Sequence, residues 1–179
     1  MANAQFTIRP RRATRRAFTL AEAVVCIAIV GGMMVAALSA AAASRLGQYK
    51  ICQRQRGMLL AQAMMAEILP LAYEEPVDTA TFGPEITETG ASRAGFDDVD
   101  DYYRWSASPP QNRDGSAAID QAGWQRTVTV RYVNPDDLTL VAGSDTGVKR
   151  IQIDVTHNGV PMASLLAIRT ENNQQDDDQ

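Results

Sequence analysis

The sequence predicts an α+β protein. A long N-terminal helix, half membrane-spanning and half exposed, packs on a small antiparallel sheet of three or four strands. Three observations lead there. From Phe18 to Ala43 the only charged residue is Glu22, and no proline follows until Pro70. After Gly123, apolar residues alternate with polar ones in successive runs, the period of half-buried strands. Short turn signals separate those runs, which favours hairpins over crossovers.

Residues 1–17 form a basic leader with Arg9, Arg11, Arg12, Arg15 and Arg16 and no acid. That bias holds the N-terminus in the cytoplasm and sends the rest of the chain outward. Residues 18–44 are the transmembrane helix. At 1.5 Å per residue the apolar run reaches about 39 Å, enough for a hydrocarbon core of about 30 Å. Glu22 is the anomaly, because a carboxylate at the bilayer centre costs about 2.5–3.5 kcal/mol and usually has a partner. No Lys, Arg or His lies between Phe18 and Ser44 to provide one. A cut before Phe18 would create an α-amino group titrating near 8, which an adjacent subunit could offer. The simpler reading places Glu22 near the helix start, where the macrodipole favours an anion.

The basic leader, the small residue Ala17, the run Phe18-Thr19-Leu20-Ala21-Glu22 and the long apolar helix resemble the class III signal of type IV pilins and type II secretion pseudopilins. The resemblance implies a prepilin peptidase as partner, cutting between Ala17 and Phe18 and methylating the new Phe18 amine. It also implies that Glu22 guides filament assembly with other pseudopilins or pilins through the N-terminal helix. The expected protein is then a structural minor pseudopilin or minor pilin. It would be a single-pass inner-membrane subunit with a cytoplasmic N-terminus and a periplasmic C-terminal domain. Ala17 stands where the family carries Gly, and Ala21 where it carries a bulkier aliphatic.

Two other readings stay open. Thr14-Arg15-Arg16-Ala17-Phe18 also resembles a twin-arginine export signal, and Ala41-Ala42-Ala43 supplies a small-x-small site. Cleavage near Ala43 would release a soluble enzyme or binding protein starting near Ser44. Against this, the apolar run exceeds the h-region length of about 7–15 residues, and Glu22 interrupts its start. The third reading is a membrane-tethered binding domain that never polymerises.

Within the span, Gly31-Gly32 and the alanines from Ala36 to Ala43 present small side chains that let helices approach closely. Residues 45–69 continue the helix outside the membrane until Pro70 stops it. Leu46, Tyr49, Leu60, Met64 and Ile68 fall on one apolar arc; Ile51, Met58, Met65 and Leu69 make a second. One arc is expected on the sheet and the other on neighbouring subunits.

Residues 71–123 read as an irregular connector. Prolines and glycines punctuate it, and Tyr73, Phe82, Phe96, Tyr102, Tyr103 and Trp105 anchor it to the sheet. It contains Asp97, Asp98, Asp100 and Asp101. These are expected to be solvated acids that cap a turn or pair with Arg93 and Arg104. Hard oxygen donors at this density also make a calcium candidate, although the spacing matches no EF-hand. No other cofactor or metal is indicated.

Residues 124–170 carry the sheet. Trp124, Val128, Val130 and Tyr132 alternate with polar residues, and Asn134 to Asp137 turns the chain into a short strand at Leu138–Val141. Ile151, Ile153 and Val155 alternate again before the hairpin signal His157-Asn158-Gly159. Met162–Arg169, apolar on both faces, reads as a central or helix-covered strand. Residues 171–179 form a polar, acidic tail expected to be disordered.

The formal charge is −4 overall and −9 once the five leader arginines are set aside. That argues against a nucleic-acid groove, which needs a basic stripe. Cys26 and Cys52 would lie about 39 Å apart on one helix, beyond disulfide reach. No phosphate loop, zinc spacing or nucleophile elbow occurs, and His157, the sole histidine, falls in a turn. Catalysis is not expected.

Overall fold

The computed structural model describes residues 18–75, 82–85, 88 and 92–171. The leader 1–17, with its arginines and Ala17, and tail residues 172–179 lie outside the described residues. One helix, α1 (Leu20–Ile68), is followed by five strands: β1 (Ser106–Ala107), β2 (Trp124–Asn134), β3 (Asp137–Val141), β4 (Val148–His157) and β5 (Val160–Thr170). A short 3-10 helix, Asp100–Tyr102, precedes β1. Two units divide at Gly47–Gln48. Each is described by itself.

In the first unit, α1 begins at Leu20 because Thr19 caps it. The Glu22 N–H donates to Thr19 Oγ1 at 3.3 Å, and the Ala23 N–H to the Thr19 carbonyl at 3.1 Å. A threonine hydroxyl at this position answers an amide that the first helical turn leaves without a partner. The helix is long and apolar enough to cross a membrane, and no residue of its apolar stretch is buried. Val24, Val25, Ile27, Met33, Met34 and Leu38 all lie open, so the apolar character runs round the whole circumference. A helix apolar on every side is stable only inside lipid or protein.

In the second unit, the end of α1 packs on an antiparallel sheet. Its strand order is β1-β2-β4-β5, with β3 paired to the far end of β2. The alternation in β2 and β4 points Val128, Val130, Ile151, Ile153 and Val155 at the helix, and all five are fully buried. Register places Val128 opposite Ile153 and Val130 opposite Ile151. Each such side chain contributes about 1.5–3 kcal/mol when taken fully out of water. The helix answers with Gly57, Ala61, Met64, Met65 and Ile68. Gly57 is required by the closeness of β5: a Cβ there would stand 2.8 Å from Met162 Cβ.

The fold class is as predicted, with corrections in detail. The sheet has five strands rather than three or four, because β1 lies inside the segment read as irregular. Ser106 and Ala107 pair with Thr127 and Arg126. A two-residue strand has no periodicity to read; only the edge of β2 selects it. The buried helix face also draws on both predicted arcs, since Met65 joins Met64 while Tyr49 and Ile51 stay exposed. Small residues at 57 and 61 set that face, and a count of large apolar residues overlooks them. Among the described residues β5 pairs with β4 alone and so lies at an edge of the sheet. Its inner side is covered through Met162, Ala163, Leu165 and Ala167, while Leu166 points outward and is exposed.

The connector aromatics do anchor it. Tyr73, Phe96 and Tyr102 are buried, and Phe82 lies against Tyr103 and Tyr132 at 5.0 and 4.7 Å between ring centroids. The His157-Asn158-Gly159 signal forms the expected hairpin, with Asn158 and Gly159 at φ of 49° and 77° as a primed turn demands. His157 ends β4 with its ring stacked on Trp124, 4.6 Å between centroids.

Candidate functional sites

The first candidate site is the start of α1. Phe18 is 74% exposed and Leu20 is 85% exposed. Glu22 occupies the third helical position, from which a carboxylate reaches back to the cap residue in a capping box. Among the described residues its carboxylate accepts no hydrogen bond and forms no ion pair. Ala17 lies outside the described residues, so the proposed scissile bond has only its Phe18 side in view.

The second candidate is the acidic turn of the connector, which departs from expectation. Asp98, Asp100 and Asp101 are not solvated but buried; Asp97 alone is exposed. The turn is built by its own carboxylates. Asp98 Oδ1 accepts the N–H groups of Asp100 and Asp101 at 2.6 and 3.1 Å, and Asp101 Oδ2 accepts those of Asp97 and Asp98 at 2.9 and 3.1 Å. Capping of a turn was expected, and burial is its consequence: oxygens aimed at their own backbone need less water.

The expected cation partners are replaced. Asp100 pairs with Lys149 of β4, whose ammonium also donates to the Tyr73 carbonyl and lies over the Tyr73 ring. Arg93 turns instead to Glu67, on the last turns of α1, with bonds of 2.9 and 3.1 Å to the two carboxylate oxygens. Tyr102 Oη donates to the same Glu67 Oε1 at 2.9 Å. Arg104 lies over the Tyr103 ring rather than on an acid. Lys149 and Arg126 stand in phase with the inward apolar residues of their strands, so alternation already marked them as buried cations. Glu67 could not be matched to Arg93 in this way, because no local spacing links a helix end to a connector.

Electrostatics follow from this sorting. Burial alone would raise the Glu67 pKa, but the hydrogen bonds and charge of Arg93 outweigh it and hold the group below its ordinary 4.5. Asp98 is pushed up to about 8 by burial and by the negative charges of Asp100 and Asp101. Glu88 is likewise pushed up to about 8, by burial and by its contact with Asp101. Arg126 is lowered to about 10 by burial and by the neighbouring Arg93.

The four aspartates do not converge as a ligand set. Asp97 groups with Glu75 and Glu88, and Asp101 with Glu85 and Glu88, while Asp98 and Asp100 belong to neither group. Glu75, Glu85 and Glu88 escaped the sequence reading because they are scattered through the connector, more than a turn away from the aspartates they meet. Both cysteines are free and exposed.

Comparison with protein-family models, with curated proteins and with solved structures returns no match.

Proposed function

We propose that this chain is a minor pseudopilin or minor pilin, a structural subunit of an inner-membrane-anchored filament and not an enzyme. A prepilin peptidase cuts between Ala17 and Phe18 and methylates the new amine. Glu22 then neutralises the Phe18 amine of a neighbouring subunit, bringing helices into register as they leave the bilayer. The observation that carries this reading is Glu22 itself. It is the sole charge of the apolar stretch from Phe18 to Ala43, every residue of which is exposed, four residues after Phe18, and its carboxylate is uncommitted among the described residues. A charge in oil costs free energy until a cation meets it, and an intermolecular amine supplies one at the helix start.

Glycines and alanines along the first unit support close packing of such helices, since nothing lies within 4 Å of a Cβ built at Gly31 or Gly32. The second unit contributes a folded head of ordinary α+β construction. No second reading gains a specific observation.

The mass of the mature N-terminus tests the proposal. In cells with the matching peptidase, the protein begins at N-methyl-Phe18. A start at Ser44 would make it an exported soluble protein, and an intact leader would make it a tethered domain; either result ends this reading. Replacing Glu22 by Ala leaves membrane insertion intact and abolishes incorporation into filaments.

A further inference from the structure

Beyond Ser44 the helix changes its chemistry. Residues 45–56 carry Arg45, Lys50, Arg54 and Arg56, and no acid occurs from Ala23 to Ala66. In the second unit, Lys50 and Arg54 stand four positions apart on α1 and so share one face of the helix. Like charges at that spacing repel and destabilise a helix. Among the described residues neither side chain forms an ion pair or a hydrogen bond. Arg56, by contrast, donates to the Asp120 carbonyl and lies over the Trp124 ring.

The β4–β5 hairpin closes a groove over this face. Its volume is about 300 Å³, and Tyr49, Lys50, Gln53 and Arg54 line it on the helix side, with His157 opposite. Each of these side chains can donate a hydrogen bond, and among the described residues no carboxylate lines the groove. Gln53 Oε1 is buried there without a hydrogen-bond partner among the described residues, an acceptor set amid donors. The hairpin adds the apolar side chains of Val160, Pro161 and Met162. A ligand that answers all of these is an anion bearing a hydroxyl group and an apolar end. Arg54 also borders a second groove with Asp154, whose carboxylate accepts the Gln152 amide at 2.9 Å.

We propose that this groove binds the headgroup of an anionic phospholipid, with Lys50 and Arg54 on the phosphate and Gln53 Oε1 accepting from a headgroup hydroxyl. A phosphate diester is singly charged and can only accept, which suits lysine as a point charge and arginine as a planar fork. Position along the chain selects lipid as the source of that phosphate. The helical lining residues follow Ser44 by five to ten positions of the same helix, whose preceding stretch is long and apolar enough to cross a membrane. Tyrosine and long cationic side chains just beyond such a stretch settle at headgroup level, the cations reaching out on apolar stems. Tyr49, 60% exposed, is open to do so. Val160 is 55% exposed on the hairpin and offers the lipid's apolar portion a surface. Phosphatidylglycerol supplies both the net charge and the hydroxyls, whereas phosphatidylcholine supplies neither. Such a site needs α1 to enter a bilayer, but neither cleavage before Phe18 nor a partner for Glu22.

The test uses the full chain in dodecyl maltoside micelles, titrated with phosphatidylglycerol, phosphatidylcholine or inorganic phosphate. Tryptophan fluorescence follows binding, since Trp124 stacks on the His157 ring at the groove, and native mass spectrometry counts the bound lipid. One phosphatidylglycerol binds saturably per chain, about tenfold or more tighter than phosphatidylcholine or inorganic phosphate. The Lys50→Gln/Arg54→Gln variant, altered only at exposed side chains, keeps the wild-type melting temperature and loses about tenfold or more in phosphatidylglycerol affinity. Arg45→Gln/Arg104→Gln removes the same charge elsewhere and stays within about twofold of wild type. An equal loss in both variants means diffuse attraction to a cationic surface and overturns the site. Equal affinity for inorganic phosphate overturns the lipid assignment. No preference for phosphatidylglycerol over phosphatidylcholine, or unchanged affinity in the Lys50→Gln/Arg54→Gln variant, overturns the proposal as a whole. None of these readouts depends on leader cleavage or filament incorporation, so the site and the proposed function fail separately.

Discussion

The two ends of α1 are one helix under two regimes. Between Phe18 and Gly47 every side chain is exposed. Between Gly57 and Ile68 five residues are buried on the sheet. The contrast is sharpest in its acids. Glu22, near the start, has a cap at its N–H and no partner at its carboxylate among the described residues. Glu67, near the end, is gripped by both forks of Arg93 and by Tyr102. Glycine repeats the lesson: a Cβ at Gly32 meets nothing, whereas one at Gly57 meets Met162 at 2.8 Å. The last turns of the helix are solved within the chain. Its first turns find no such partner among the described residues, and an apolar helix of this kind is stable only inside lipid or protein.

The contrast can be broken by experiment, with thermal unfolding followed through Trp105 and Trp124, both in the second unit. The largest effect is expected from Glu67→Ala. It leaves the Arg93 guanidinium buried without its counter-ion, a loss of about 3–5 kcal/mol. The same unfolding measurement on Glu22→Ala should show no change. The Glu67 pair also has a definite pH signature. Its folded pKa is depressed, so its contribution is present at neutral pH and lost as pH falls through that lowered value. Wild-type protein should therefore lose stability relative to Glu67→Gln on acidification below pH 4.5.

Next comes Met64→Ala, which empties a fully buried site and should cost about 2–5 kcal/mol. Met34→Ala, at an exposed position in the first unit, should leave the melting curve where it was. If Met34→Ala destabilised the second unit as much as Met64→Ala, the division into two regimes would be wrong. The smallest effect belongs to Gly57→Val, whose overlap with Met162 should cost about 1–3 kcal/mol through displaced side chains and backbone. Gly32→Val should leave the same melt unchanged.

Legibility in the sequence followed the range of the interactions involved. The helix, the hairpin at Asn158-Gly159 and the inward faces of β2 and β4 rest on contacts close in sequence, and each could be read from spacing. Lys149 and Arg126 were legible in principle, standing in phase with Ile151 and Val128, although a cation on an inward face is easily passed over as an exception. β1 was not legible, because two residues carry no period. The partner of Arg93 was not legible either. Nearby aspartates looked suitable, but they were already committed to backbone amides, leaving Arg93 to a glutamate on the helix.

The acidic turn teaches the same point about sites. Four aspartates in five positions invited a reading as one ligand set, yet adjacent residues on a tight turn point in different directions. Asp98 serves the turn and Asp100 meets Lys149, whereas Asp101 closes the turn with one oxygen and lies beside Glu85 and Glu88. A cluster in sequence is not a cluster in space unless the backbone aims its side chains at one point.

By itself, the sequence determined the α+β class, the unbroken apolar helix with Glu22 near its start, and the alternating strands. Periodicity and capping are properties of neighbours along the chain. Tertiary structure alone decided which face of α1 is buried, that β5 lies at an edge, and which acid meets which cation. Those outcomes depend on competition among distant groups for a few buried positions, and each is settled only when the helix, sheet and connector close on one another.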